Sequence, residues 1–110
     1  MPEMTAAVKS ELEMLKETIV GTVAVEQIWL FGSHANGTPA SGSDLDLYVV
    51  LKDDAETREF DAEVKILSAI GRVKTMPVDI IANKKSRYLR LAEGPTMERK
   101  IAREGIRIYG

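Results

Sequence analysis

The stretch Asp44-Leu45-Asp46-Leu47-Tyr48-Val49-Val50-Leu51 constrains this chain more than any other. Side chains alternate across a strand, so one face carries Leu45, Leu47, Val49 and Leu51, and the other carries Asp44, Asp46, Tyr48 and Val50. The first face is wholly apolar and must be buried under helices. The second opens with two carboxylates side by side, which repel each other unless a cation lies between them. A fold built on this segment needs a sheet with one covered face and one face that meets water or ligand at its end.

The remaining segments supply helices and further strands. Met4, Val8, Leu12, Leu15 and Ile19 recur at steps of four and three, one apolar stripe on a helix over 4–19. Thr5 or Pro2 starts it and Gly21 is expected to end it. Ile28 to Phe31 is a short apolar run that stops at Gly32, a buried strand. Residues 32–43, rich in Gly, Ser and Pro, read as a loop with one helical turn around Ser33–Gly37. The spacing predicts a helix over 55–70 with Phe60, Val64, Leu67, Ala69 and Ile70 turned inward, stopped by Gly71. Residues 77–82 make a third strand, with Pro77 at the tolerated first position. A helix over 84–92 is broken by Gly94-Pro95. Thr96 caps another over 97–104. Gly105 ends it, and Ile106–Tyr109 form a last strand. Strands and helices alternate, which gives an α/β or α+β class with a small sheet. No repeat or linker divides residues 1–110, so a single domain is expected, and its length suffices for one core.

Composition removes several function classes. There is no cysteine and one histidine, His34, so disulfides, thiolate metal sites and histidine-based zinc sites drop out. No apolar run approaches the ~18 residues that span a bilayer, so no membrane is expected. The acidic, amphipathic N-terminus is unlike a signal peptide, and a cytoplasmic location is the expectation. Net charge is −2, but unevenly spread. Residues 1–83 hold 7 basic and 14 acidic groups, whereas 84–110 hold 8 and 3. The acidic majority argues against nucleic acid. The basic segment is either a solvated helix face or a surface that meets an anionic partner.

The chemistry gathers around the aspartates. Paired carboxylates are hard oxygen ligands suited to Mg²⁺ or Mn²⁺, although Asp-x-Asp alone could simply be wet at a strand's start. Asp79 stands alone in the apolar strand Val78-Asp79-Ile80-Ile81, expensive to bury without a partner unless it lies on an edge. If the two strands are neighbours, three carboxylates meet, enough to hold two divalent ions for in-line displacement at phosphorus. Gly32-Ser33 directly follows a strand. Glycine allows close backbone approach to an anion, and the serine hydroxyl adds a donor. Gly32-x4-Gly37 is not a P-loop, because Thr38-Pro39 stands where Lys-Ser/Thr is required, and no G-x-G-x-x-G occurs.

Gly32-Ser33, ten residues, then Asp44-Leu45-Asp46 resembles the signature of the DNA polymerase beta-like nucleotidyltransferase superfamily. Leu30-Phe31-Gly32-Ser33-His34-Ala35-Asn36-Gly37 and Ser43-Asp44-Leu45-Asp46-Leu47 look like the minimal nucleotidyltransferase (MNT) family. Asp79 in Val-Asp-Ile-Ile matches that family's third carboxylate. The ending, from Arg99-Lys100-Ile101 through Glu104-Gly105-Ile106 to Tyr109, is also similar. Many members have Arg where this chain has His34 and Asn36.

The resemblance implies a small mixed sheet flanked by helices, and transfer of a nucleoside monophosphate from an NTP with release of pyrophosphate. It implies that Gly32 and Ser33 hold the β- and γ-phosphates. Asp44 and Asp46 would bind two Mg²⁺ ions, and Asp79 would bind the catalytic ion and help deprotonate the acceptor. It further implies a partner: a helical HEPN protein, often an RNase toxin, that receives AMP on a hydroxyl. The minimal enzyme would be the antitoxin, a protein adenylyltransferase. An alternative is an interaction protein that neutralises such a partner by binding, with weak catalysis. Homo-oligomerisation stays open.

Overall fold

The structure, a computed structural model, describes residues 4–37 and 44–110. The first helix, α1 (Ala6–Thr22), opens at Thr5, whose Oγ1 accepts from the Val8 amide at 3.2 Å. Its buried stripe is Leu12, Leu15 and Ile19, as the periodicity requires. Gly21 does not end it. The helix runs on to Val23, whose N–H reaches the Ile19 carbonyl, and the β-branched Val23 and Val25 then turn the chain into extended backbone.

Strand β1 (Val25–Phe31) leads into the single-turn helix α2 (Ser33–Asn36), and β2 (Leu45–Leu51) follows residues 38–43, which lie outside the described set. The loop expected over 32–43 is therefore seen only in its first part. Helix α3 (Glu59–Ile70), strand β3 (Val78–Lys84), helices α4 (Lys85–Ala92) and α5 (Met97–Glu104) and strand β4 (Ile106–Tyr109) complete the chain. Thr96 caps α5 by accepting from the Arg99 amide at 3.2 Å.

The four strands form one mixed sheet in the order β3-β2-β1-β4. β2 runs antiparallel to β1 and parallel to β3, and β1 runs antiparallel to β4. The parallel pair needs a crossover, and α3 provides it. Leu45, Leu47, Val49 and Leu51 of β2 join Ile28, Leu30, Ile80 and Ala82 in a core closed by Leu12, Leu15 and Ile19 of α1 and Ala62, Ile66 and Ile70 of α3. The opposite face holds a smaller cluster of Tyr48, Val50, Tyr88 and Ile101, covered by α4 and α5.

Helix α3 corrects the sequence reading. It begins at Glu59, four residues later than expected, and Phe60, Val64 and Leu67 face outward, with Phe60 73% exposed. Ala62, Ile66 and Ile70, at steps of four, take the inward stripe, so Ile70 alone keeps its expected full burial. The segment carries two apolar stripes, and the one with smaller side chains allows the helix to approach the sheet.

Candidate active site

The register of the sheet assembles the site. Asp46 pairs with Asp79 across the parallel β2–β3 ladder and with Phe31 across the antiparallel β1–β2 ladder. Paired residues share a face, so Asp79, Asp46 and Phe31 form one row on the sheet surface opposite the α1/α3 core. The next row is Ile81, Tyr48 and Trp29, with Arg107 beyond. Arg107 sets its guanidinium 5.8 Å from the centre of the Trp29 ring. Asp44 lies just ahead of β2 and shares a side-chain hydrogen bond with Asp79.

The electrostatics show how closely the three groups sit. Burial raises the Asp46 pKa above the ordinary carboxylate value, the charges of Asp79 and Asp44 raise it further, and His34 works the other way. Asp79, exposed by surface area, is raised first by partial desolvation against the sheet, then by its hydrogen bond with Asp44 and by that group's charge. Among the described residues no three acid, histidine or cysteine side chains stand close enough together to hold a metal ion as they are placed. The donor set nevertheless fits a hard divalent cation: oxygen ligands only, clustered, and costly to leave ionised together.

Gly32 fixes the height of α2 above these groups. Its φ is +76°, and a Cβ there would collide with Asp46 Oδ2. Only glycine permits both the backbone conformation and the contact. Its carbonyl accepts from the amides of Ala35 and Asn36, both at 3.1 Å, and Gly37 closes the turn with φ +74°. Ser33 is thereby held at the first position of α2, over the end of β1. The structure thus brings Gly32, Asp44, Asp46 and Asp79 to one end of one sheet face, with Ser33 next in chain to Gly32.

Three features were not singled out in the sequence. Tyr48, next to Asp46 on the same face, donates to Glu98 Oε2 at 2.9 Å and accepts from Asn83 Nδ2 at 2.7 Å. Burial pushes the Tyr48 hydroxyl well above its ordinary pKa. The Tyr88 ring lies 5.4 Å from that of Tyr48, and its own hydroxyl is buried with no hydrogen-bond partner among the described residues. This cluster anchors α4 and α5 beneath the carboxylate row. The third feature is a cavity of about 220 Å³ between α2 and α5, floored by Phe31 and reaching Gly32. Only its floor left a signal in the sequence: Phe31 alternates with Trp29 on the strand that leads into Gly32.

Comparison with known proteins agrees with this geometry. The polymerase beta nucleotidyltransferase family matches residues 13–110, nearly the whole chain. The chain belongs to that family. It is also similar to a crystal structure from Sulfolobus solfataricus assigned as a nucleotidyltransferase. The two share 27% identity over 82% of this chain and 84% of that one, with a TM-score of 0.51. No curated protein is matched. This nucleotidyltransferase has the small mixed sheet and flanking helices of the fold. No described helix is long and apolar enough to cross a membrane.

Proposed function

We propose that this nucleotidyltransferase moves a nucleoside monophosphate, AMP by preference, from an NTP to a hydroxyl group on a partner protein. The observation that carries the reading is the row of Asp46 and Asp79, with Asp44 hydrogen-bonded to Asp79, directly beside Gly32. Asp44, Asp46 and Asp79 are the residues that would hold Mg²⁺. Bound there, two ions would supply charge neutralisation for the reacting phosphate and its pyrophosphate leaving group. Gly32 and Ser33 receive the β- and γ-phosphates with backbone and hydroxyl donors. The acceptor oxygen forms a bond to the α-phosphorus, the bond from α-phosphorus to the bridging oxygen breaks, and pyrophosphate leaves. Asp79, at the β3 end of the row, takes the acceptor's proton.

The acceptor in this reading is a hydroxyl of another polypeptide. The family resemblance makes a HEPN-type helical toxin the first candidate and gives this chain the role of antitoxin in a cytoplasmic pair. The exposed basic residues Arg87, Arg90 and Arg99 on α4 and α5 offer such a partner a surface. A second reading, neutralisation by binding alone, is favoured by the exposed Phe60, Val64 and Leu67 stripe, a surface that catalysis does not use.

The test is incubation of the protein with a candidate HEPN partner, Mg²⁺ and each NTP, read by intact mass. A gain of one nucleoside monophosphate on the partner, absent with Asp46→Asn, is expected. An Asp46→Asn protein that transfers nothing yet still protects cells from the partner as well as wild type would give first place to binding.

A further inference from the structure

We propose that the cavity between α2 and α5 is the nucleoside pocket, that it takes a purine base stacked on Phe31, and that it sets the donor preference. This deepens the nucleotidyl-transfer reading and rests on it. The row Asp79, Asp46, Phe31 has a direction. Asp79 receives the acceptor's proton, so the acceptor approaches from the β3 side. In the in-line displacement the pyrophosphate leaves on the opposite, β1 side, toward Gly32 and Ser33, and the nucleoside projects from the α-phosphorus off that line, beside the cavity that Gly32 also lines. Gly32 belongs to both: it touches Asp46 on one side and lines the cavity on the other. A phosphate held beside Asp46 therefore has its nucleoside within reach of that space.

The chemistry of the walls suits a base. Phe31 forms an aromatic floor continuous with the sheet, and Ala35, Met97 and Ile101 make the sides apolar. An aromatic ring offers a stacking surface to any base, and a thioether packs well at a ring edge. The rim is polar and mixed. Asn36 presents a donor and an acceptor, Lys100 a donor, and Glu104 an acceptor, a set that complements the hydrogen-bonding edge of a purine. At about 220 Å³ the space admits one ring system. The larger purine gains more from the apolar walls than a pyrimidine does.

The experiment measures equilibrium binding of ATP, GTP, CTP, UTP and inorganic tripolyphosphate, each with Mg²⁺. The proteins are wild type, Ala35→Leu, which fills the cavity, and Met97→Ala, which opens its exposed rim; melting curves confirm folding. In wild type, a purine NTP should bind about tenfold tighter than tripolyphosphate, the gain that base stacking supplies. Ala35→Leu should remove most of that gain and Met97→Ala about threefold of it, while tripolyphosphate affinity stays within roughly twofold. Should Ala35→Leu fail to fold, Met97→Ala decides. NTPs that bind no tighter than tripolyphosphate would overturn the pocket and leave the phosphate site standing. So would NTP affinities that both variants leave unchanged, including a case where only transfer to a partner suffers, which would assign the cavity to the acceptor. Absence of binding by tripolyphosphate and NTPs alike would instead remove the nucleotidyl-transfer reading itself.

Discussion

The two faces of the sheet are built from the same strands and do opposite things. On the α1/α3 side, β2 contributes Leu45, Leu47, Val49 and Leu51, all fully buried. On the α4/α5 side it contributes Asp46, Tyr48 and Val50, with Asp44 just ahead, and the cover stops short of the aspartates. Stability resides mainly on the first face. The second tolerates crowded carboxylates, with the pKa values of Asp46 and Asp79 raised, a local destabilisation that a bound cation would relieve. Chemistry in so small a domain depends on keeping these duties on separate sides of one strand.

The comparison can be broken at several points. The largest stability effect should come from Leu47→Ala, where loss of a fully buried side chain costs about 2–5 kcal/mol in urea unfolding. Its neighbour in sequence should behave in reverse. Asp46→Asn should lower nucleotidyl transfer on the order of 10²-fold or more while leaving the fold at least as stable, because it removes a repelled charge. Similar stability losses in the two variants would end the division of labour.

Tyr48→Phe tests the boundary between the duties. It strands the buried Glu98 carboxylate and the Asn83 amide, and should cost about 1–3 kcal/mol of stability. A loss below that range would mean that water replaces the hydroxyl.

A subtler effect is the pH dependence of the metal-free protein. Asp46 and Asp79 have pKa values raised in the folded state. Their contribution to stability is therefore fully present below the ordinary carboxylate pKa and is lost as pH rises through the raised values. Measured in EDTA by urea midpoint, Asp44→Asn/Asp46→Asn should gain on wild type as pH rises from 4 toward neutrality, about the range where carboxylates titrate. Mg²⁺ should narrow the gap by stabilising wild type alone. Parallel profiles would show that the carboxylates do not sense one another. The smallest effect is expected on α3: Phe60→Ser should stay within about 0.5 kcal/mol of wild type, since the side chain is already in water.

That last substitution marks where the sequence could and could not be read. The strands were legible because alternation leaves little choice of face. Thr5 and Thr96 were legible because a hydroxyl before an apolar stripe has one obvious use. The α3 face was not, since Phe60, Val64 and Leu67 make as regular a stripe as Ala62, Ile66 and Ile70, and only the packed sheet chooses between them. Contacts between distant segments left no local trace. Glu11 on α1 accepts from the amide and hydroxyl of Thr75 at 2.7 and 2.8 Å. Asp53, after β2, accepts from the Ser86 amide at 2.9 Å and so caps α4, which lacks a cap of its own. That bond, with the Ser86 side chain and the nearby Lys85 and Lys84, holds the Asp53 pKa below its usual value. In the site, the aspartates and Gly32-Ser33 were visible as chemistry out of place in apolar strands. The cavity as a whole was not, because its α5 wall, Met97 to Gly105, lies far along the chain from Phe31.

The parallel register of β2 and β3 has one further consequence. Asp79 faces the same way as Asp46 because Val78 and Ile80 face the core with Leu45 and Leu47. Parity therefore couples the third carboxylate to the hydrophobic packing. Inserting one residue between Val78 and Asp79, or deleting Val78, cannot move the acid quietly out of reach. It would turn Asp79 into the core or drive Ile80 into water, so a frame error in the chemistry is also an error in folding. Length changes in the connection over 71–77 carry no such penalty. Drift in this chain can be absorbed by its loops, while a misplaced acid is removed along with the molecule that carries it.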